Sequence, residues 1–342
     1  MTNKRVIKIP IEVPFHGDPS KAFPANMPPS GAEAKTEETF KTFIPLGILE
    51  GHKPGATLAV IGGIHASEYA ARNSAFRFWQ SLDPEDISGT VLVVLAADVT
   101  AFWAHHIYTN PVDGKNLNRS FPGKKDGTLS EVLAYTLMEE VVKKSDAVVD
   151  CHGGEFDEYM APYIITSTNG DEDLDKKTLD LAFALGIPFI EVADASGDWL
   201  GGNTLQGAAV LTGRPGMVLE VGGCGEEDEQ ATAAGYNALQ NALKHLEMKP
   251  GKPVPWAGKP VQLERGIIIK STQGGVFERS VMVGDWVEKG HILGRIYDFD
   301  GTLLEELQAE EAGTVLTVIS TPAISADGFA VKLGAVSNNQ YD

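Results

Sequence analysis

Two hydrophobic periods alternate along most of this chain, and the switches between them mark its elements. Residues 56–60 (Ala-Thr-Leu-Ala-Val) form an apolar run that predicts a buried strand. Residues 69–80 follow, with Ala71, Phe76 and Trp79 spaced to suit a helix packed on a sheet. Similar apolar runs at 91–96, 147–150, 162–166, 189–192 and 217–220 predict further strands. Helices are predicted over 130–144, 173–185, 204–211 and 227–248. The first has Ser130 as N-cap and Val132, Leu133, Leu137 and Val141 on one face. Strands alternating with helices of this length predict an α/β fold, with a mixed, mostly parallel sheet flanked by helices.

The two ends of the chain read differently. Residues 6–13 predict an edge strand in which Pro10 limits pairing. Residues 14–37, rich in Pro, Gly, Ala and Ser, predict a surface excursion, and 40–49 a second extended segment. Residues 97–129 read as one long loop, and a loop of that length in a compact domain is usually functional. After Met248 a linker at 249–255 leads to short β-runs split by glycine pairs such as Gly274-Gly275 and Lys289-Gly290. Turn signals at intervals of ~8–14 residues predict a small all-β barrel or sandwich. The expected organisation is a catalytic domain over 1–255, with an extended segment at 1–45, and a β-rich domain over 256–342.

Charge and composition narrow the function. A formal net charge of −19 opposes non-specific binding to nucleic acid or anionic membrane. It does not forbid an anionic substrate, since a local Arg outweighs distant charges at physiological ionic strength. No run approaches the ~18 apolar residues of a membrane span. Residues 1–5 carry two basic side chains without the apolar stretch and cleavage site of a signal peptide. Two cysteines, Cys151 and Cys224, are too few for a disulfide framework, which fits a reducing compartment, with the cytoplasm expected. Nothing in the pattern speaks for or against a homo-oligomer.

The residues with chemistry to offer stand where predicted strands end. His65 and Glu68 follow the strand at 56–60, His152 follows 147–150, and Glu220 ends 217–220. In open α/β sheets, sites form outside the carboxyl ends of the strands, so these positions converge. Two His and one Glu make the ligand set of a catalytic zinc site with a fourth position left open. Glycines 62, 63, 153 and 154 permit tight turns beside it. Asp150 is suited either to fixing a ligand histidine or to capping a strand end. Zinc chemistry also needs a carboxylate to move the proton of water, and Glu220, at the end of an apolar strand, is placed for a raised pKa. Asn118-Arg119 supplies an amide and a planar fork suited to a carboxylate, or else to bracing its own loop.

Together His65-x-x-Glu68, Asn116-Leu117-Asn118-Arg119, Asp150-Cys151-His152 and Leu219-Glu220-Val221-Gly222 resemble the succinylglutamate desuccinylase/aspartoacylase family. The family lies within the wider group of zinc carboxypeptidase-like folds, and the likeness covers roughly residues 45–250. The resemblance implies one zinc held by His65, Glu68 and His152, with Glu220 as general base and Asn118 and Arg119 on the substrate carboxylate. It also implies hydrolysis of the amide between an acyl group, acetyl or succinyl, and a small amino acid or amine. Acetylated diaminobutyrate is among the substrates the resemblance reaches.

One departure stands out. Relatives commonly carry an Arg shortly before the Asn-Arg pair to stabilise the oxyanion, and no Arg lies between Arg77 and Arg119 here. His106 or Tyr108 is the candidate oxyanion or substrate contact in its place; otherwise zinc alone serves the oxyanion or the activity is altered.

The segments 275–277 and 283–294 resemble the barrel-sandwich fold of biotinyl and lipoyl carriers. A carrier needs a Lys at a hairpin tip, and none occurs between Lys289 and Lys332. A structural or access-shaping role is therefore expected. The alternatives to a zinc deacylase are a metallocarboxypeptidase acting on short peptides and a non-catalytic carrier or binding module.

Overall fold

The computed structural model describes residues 3–14, 39–197, 201–258 and 260–336. Most of the predicted excursion at 14–37 lies outside them. Strand β1 (Lys4–Pro14) is an edge strand, and β2 (Thr39–Glu50) pairs with it antiparallel, Pro10 opposite Phe43. β3 (Lys53–Gly62), α1 (Tyr69–Ser81) and β4 (Ser88–Val94) follow as a parallel β–α–β unit. The predicted loop at 97–129 contains a short helix, α2 (Val99–Ala104). The Asp98 carboxylate caps it, accepting from the Ala101 N–H at 2.9 Å.

The next helix, α3 (Leu129–Glu140), starts before Ser130, with Thr128 as its N-cap, and the Thr128 N–H donates to Glu131 Oε2 at 2.9 Å. Ser130 instead binds Asp113, through its N–H at 2.7 Å and its hydroxyl at 2.9 Å, which ties the loop carrying Asn118 and Arg119 to the helix. Then come β5 (Ala147–His152), β6 (Glu158–Met160), β7 (Tyr163–Thr168), α4 (Glu172–Ala184), β8 (Phe189–Asp194), α5 (Leu205–Leu211), β9 (Gly216–Glu220) and α6 (Glu229–His245). The remaining strands are β10 (Val261–Lys270), β11 (Gly275–Arg279), β12 (Trp286–Val287), β13 (Ile292–Tyr297), β14 (Leu303–Gln308), β15 (Gly313–Ile319), β16 (Ala323–Ile324) and β17 (Phe329–Val336).

The large sheet runs β1-β2-β4-β3-β5-β9-β7-β8-β10-β17-β15-β12, with β6 attached to β15. Its centre is buried on both faces, which is why the strands read as unbroken apolar runs. Along β3 the pleat sends Leu58 and Val60 to one core with Phe78, Leu239 and Leu243, and Ala59 and Ile61 to the other with Leu133 and Leu137. Burying a side chain such as Phe78 contributes about 1.5–3 kcal/mol.

The β-rich region beyond residue 260 divides between two sheets. Strands β11, β13, β14 and β16 form a separate antiparallel sheet, ordered β14-β13-β11-β16. By contrast β10 pairs parallel with β8, so β10, β17, β15 and β12 extend the main sheet. Phe277, Leu293, Ile296, Val315 and Leu333 pack together in the core of this region. The fold is thus the expected mixed α/β layer structure with a C-terminal all-β part. The pairing that joins its strands to the main sheet leaves no local mark in the sequence.

The position of β3 matters most for function. The chain leaves β3 for β4 on one side and later returns with β5 on the other. Such a reversal opens a crevice at the carboxyl ends of the two strands, where His65, Glu68 and His152 follow.

Candidate active site

The turn after β3 is built around Gly63, which adopts φ 73°, a left-handed value that favours glycine. Its carbonyl and that of Gly62 accept from the Asp98 and Ala97 N–H groups at 3.0 and 2.8 Å. This clamp fixes the path from which His65 and Glu68 project. On the neighbouring strands, His152 at the end of β5 lies in register with Glu220 at the end of β9. Gly153 must be glycine for packing reasons: a Cβ there would stand 2.3 Å from the Val221 carbonyl oxygen. The close approach also lets the Gly153 N–H donate to Glu68 Oε2 at 3.1 Å.

His65, Glu68 and His152 are buried, and one ligand atom from each lies within 4.8 Å of the others. His65 Nδ1 is 2.8 Å from Glu68 Oε1, and His152 Nδ1 is 2.8 Å from Glu68 Oε2. Each ring turns its other nitrogen to an oxygen acceptor. His152 Nε2 is 3.0 Å from Asp150 Oδ2, and His65 Nε2 is 3.1 Å from Asn116 Oδ1. Two imidazole Nδ1 atoms and one carboxylate facing a common point, with both rings fixed from behind, form a donor set able to hold a metal ion.

Electrostatics fits this arrangement. Burial works to raise the Glu68 carboxyl, but His152 and His65 outweigh it and bring it down to about 2. Burial pulls His152 downward, while Asp150 and Glu68 lift it well above the usual imidazole range. Burial pushes Glu220 up to about 8; Glu68 and Glu158 add to the rise, and His152 and Lys332 oppose it. Glu220 Oε2 is buried without a hydrogen-bond partner. An acceptor left unsatisfied beside a metal-capable group is what a site with a missing ligand looks like.

The other expected residues divide. Asn118 lies against His152, its Nδ2 3.4 Å from Nε2, while its Oδ1 accepts from the Leu205 N–H at 3.0 Å. Arg119 is partly buried and is held by the Asn118 carbonyl at 2.7 Å. Both line a cavity of about 330 Å³ together with the His–Glu–His group and Glu220. Tyr108 enters the same cavity, its ring edge-on to His65 with centroids 5.2 Å apart. Its hydroxyl donates to Glu158 Oε1 at 2.8 Å, so its proton is engaged there. His106 turns into its own loop, with Nδ1 2.8 Å from the Thr109 carbonyl, and does not line the cavity.

Several cavity residues escape sequence reasoning. Lys270, Thr317 and Lys332 come from β10, β15 and β17, so the C-terminal strands wall the site. No local pattern marks them, because the pairing of β10 with β8 places them there. Glu155 and Glu158 stand three and six residues after His152, a proximity that could have drawn notice. Glu155 is fully buried and accepts from the Ser67 hydroxyl and, at 3.0 Å, from the Tyr108 N–H.

Known proteins share this architecture. The catalytic-domain model of the succinylglutamate desuccinylase/aspartoacylase family matches residues 54–246. The N-alpha-acetyl-L-2,4-diaminobutyric acid deacetylase of Halomonas elongata is 28% identical over 270 residues, 76% of this chain and 77% of that protein. Among solved structures, a succinylglutamate desuccinylase/aspartoacylase from Rhodobacter sphaeroides superposes with a TM-score of 0.80 at 23% identity. It covers 98% of this chain and 96% of its own. The product-bound ectoine utilization protein EutE (DoeB) of Ruegeria pomeroyi superposes with a TM-score of 0.82 at 23% identity, covering 96% and 95%. These likenesses establish the fold, and the family match spans more than half of the chain, including all four motifs around the crevice. The chain therefore belongs to the succinylglutamate desuccinylase/aspartoacylase family, whose named members are deacylases.

Proposed function

We propose that this protein hydrolyses the amide bond of a small N-acylated amino acid in a zinc-dependent reaction. His65, Glu68 and His152 are the residues that would hold the zinc. Two nitrogens and a carboxylate match its donor preference, and the acceptors behind the rings favour the tautomers that leave Nδ1 free for it. Bound there, zinc supplies Lewis acidity that polarises a carbonyl and makes water a stronger acid.

Glu220 is the proton carrier. Its carboxylate takes a proton from the attacking water and returns it to the amine nitrogen as the C–N bond breaks, leaving a free acid and a free amine. Its register opposite His152 and its unpartnered buried oxygen are the observations that carry this reading. Asn118 and Arg119 orient the substrate through its carboxylate, the planar guanidinium matching two oxygens. A cavity of about 330 Å³ suits a small acylated amino acid better than an extended peptide. The curated relative named as a deacetylase supports acetyl as the acyl group.

A hydrolysis screen over N-acetyl and N-succinyl amino acids with added zinc tests the proposal. Release of acetate or succinate is expected. Release of C-terminal residues from short peptides, with no deacylation, would move the protein to the carboxypeptidases.

A further inference from the structure

Tyr108 is held more tightly than a loop side chain needs to be. Its backbone adopts φ 53°, a left-handed value that costs a residue with a Cβ free energy unless its surroundings impose it. Glu155 does so. Fully buried, it accepts from the Tyr108 N–H at 3.0 Å and, through its other oxygen, from the Ser67 hydroxyl between His65 and Glu68. The Glu155 N–H in turn donates to Glu158 Oε2 at 3.1 Å, and Glu158 Oε1 lies 2.8 Å from the Tyr108 hydroxyl. One network therefore ties both ends of the tyrosine to the turn that carries two metal-capable residues. The ring meets His65 edge-on and lines the cavity.

The proposed reaction needs a donor that its assigned residues do not supply. When water adds to the amide carbon, the carbonyl oxygen becomes negative, and a donor already aimed at that oxygen lowers the barrier. Asn118 and Arg119 are committed to the substrate carboxylate in that reading, and no Arg lies between Arg77 and Arg119. We infer that the Tyr108 hydroxyl donates to this oxygen, with Glu155 and Glu158 as positioning residues behind it. The inference rests on the deacylase reading and adds to it the group that meets the developing charge. The hydroxyl's single proton faces Glu158 in the resting site. A protonated Glu158 reverses that bond, donating to the phenolic oxygen and leaving the Tyr108 proton to point into the cavity. Burial favours the protonated form of Glu158; the Glu155 N–H and the Tyr108 hydroxyl oppose it, and Glu68 and Asp157 favour it. Arg119, Lys270 and Lys332, which line the same cavity, favour the charged form. An arriving substrate carboxylate and the developing oxyanion work against it.

The test uses zinc-supplemented protein and Nα-acetyl-2,4-diaminobutyrate, the compound for which the curated relative is named. Tyr108→Phe is expected to lose about 10²-fold in kcat with KM little changed. By calorimetry it should bind the Nα-methylphosphonyl counterpart, whose tetrahedral phosphorus carries the anionic oxygens, about 10²-fold more weakly. Its affinity for free 2,4-diaminobutyrate and its zinc content should stay as in the wild type. Glu158→Leu is expected to lose about tenfold in kcat. Glu158→Gln should restore most of that loss, because its NH2 donates to the Tyr108 oxygen while its carbonyl accepts from the Glu155 N–H. A Tyr108→Phe protein with wild-type kcat overturns the inference and leaves the deacylase standing. So does equal weakening of the phosphonyl compound and the free amino acid, which would reduce Tyr108 to bracing the cavity. Glu158→Gln as impaired as Glu158→Leu would overturn it too, since the charge of Glu158 would then be what matters. A wild type that hydrolyses nothing, yet binds the phosphonyl compound through Tyr108, would sink the deacylase reading and keep the donor.

Discussion

Glu191 on β8 grips Lys332 on β17: Oε2 lies 2.7 Å from Nζ, and both side chains are buried. The second carboxylate oxygen accepts from the Gly266 N–H of β10 at 2.7 Å, and Nζ lies 3.3 Å from the Tyr163 hydroxyl of β7. Four strands thus meet at one ion pair beside the cavity. A side chain at position 266 would push the pair aside, since a Cβ on Gly266 would stand 2.3 Å from Lys332 Cε and 2.7 Å from Glu191 Oε1. Removing one member strands the other charge in the interior, a loss of about 3–5 kcal/mol, whereas replacing both with apolar groups is often near neutral. Glu191→Ala should therefore lose about that much unfolding free energy in denaturant titration. Glu191→Met with Lys332→Met should recover a large part of it. A Glu191→Ala cost below about 1 kcal/mol would show that the pair does not hold the C-terminal strands to the sheet.

Asp150 gives a sharper test of the metal site than the ligands themselves. Purified protein should carry about one zinc per chain, as the resemblance implies, and His152→Ala should lose it outright. Asp150→Asn keeps the shape behind His152 but weakens the acceptor 3.0 Å from Nε2. Loss of such an outer partner typically lowers metal affinity about 10–100-fold. Competition against a chromogenic chelator measures the change; unaltered affinity would mean that Asp150 does not support a metal ligand.

Much of this site was legible before the structure because its parts lie beside strand-end signals. The runs at 56–60, 147–150 and 217–220 are apolar enough to be read as buried strands, and the polar residues at or just beyond their ends, His65 and Glu68, His152 and Glu220, are conspicuous. What was not legible depends on pairing. Ser130 reads as a helix cap, yet it binds Asp113 because the active-site loop folds back onto α3. Lys332 and Thr317 sit in strands with no chemical signature and reach the cavity only through the β8–β10 pairing. The same limit governed Tyr108 and His106. Two residues apart in one loop, they are separated only by the loop's path, which turns one into the cavity and the other to the Thr109 carbonyl.

Glu220→Gln separates chemistry from binding. The amide preserves the shape of the side chain opposite His152 but cannot take a proton from water. Turnover of an N-acyl amino acid should fall by about 10²–10⁴, with zinc content unchanged by elemental analysis. Near-normal turnover would remove Glu220 from the mechanism, and loss of zinc would make it a ligand instead.

The buried acids also predict how the metal-free protein responds to pH. Burial raises Glu155 to about 9; Glu68 adds to the rise, the Tyr108 N–H opposes it, and Glu158 and Asp157 push it further up. Glu220 is raised to about 8, again chiefly by burial. In the unfolded chain both titrate near about 4.3. Above that value the native state holds protons that the unfolded state has released. The stability these groups contribute is therefore complete below about pH 4.3 and is lost as pH rises through 8 to 9. His152, lifted above its ordinary range, acts in the same direction. Glu68, held at about 2, contributes stability that is lost only in acid, and so is constant in this window. Chelator-treated protein should accordingly melt at progressively lower temperature between pH 6 and pH 9.5. Glu155→Gln should flatten that slope, because its amide oxygen can still accept from the Tyr108 N–H and its NH2 can donate to the Ser67 hydroxyl, while it carries no proton to release. Restoring zinc should flatten it as well, since a cation beside Glu220 favours the charged carboxylate. A melting temperature that stays level or climbs across this range in chelator would show that these carboxyls do not hold protons in the folded state.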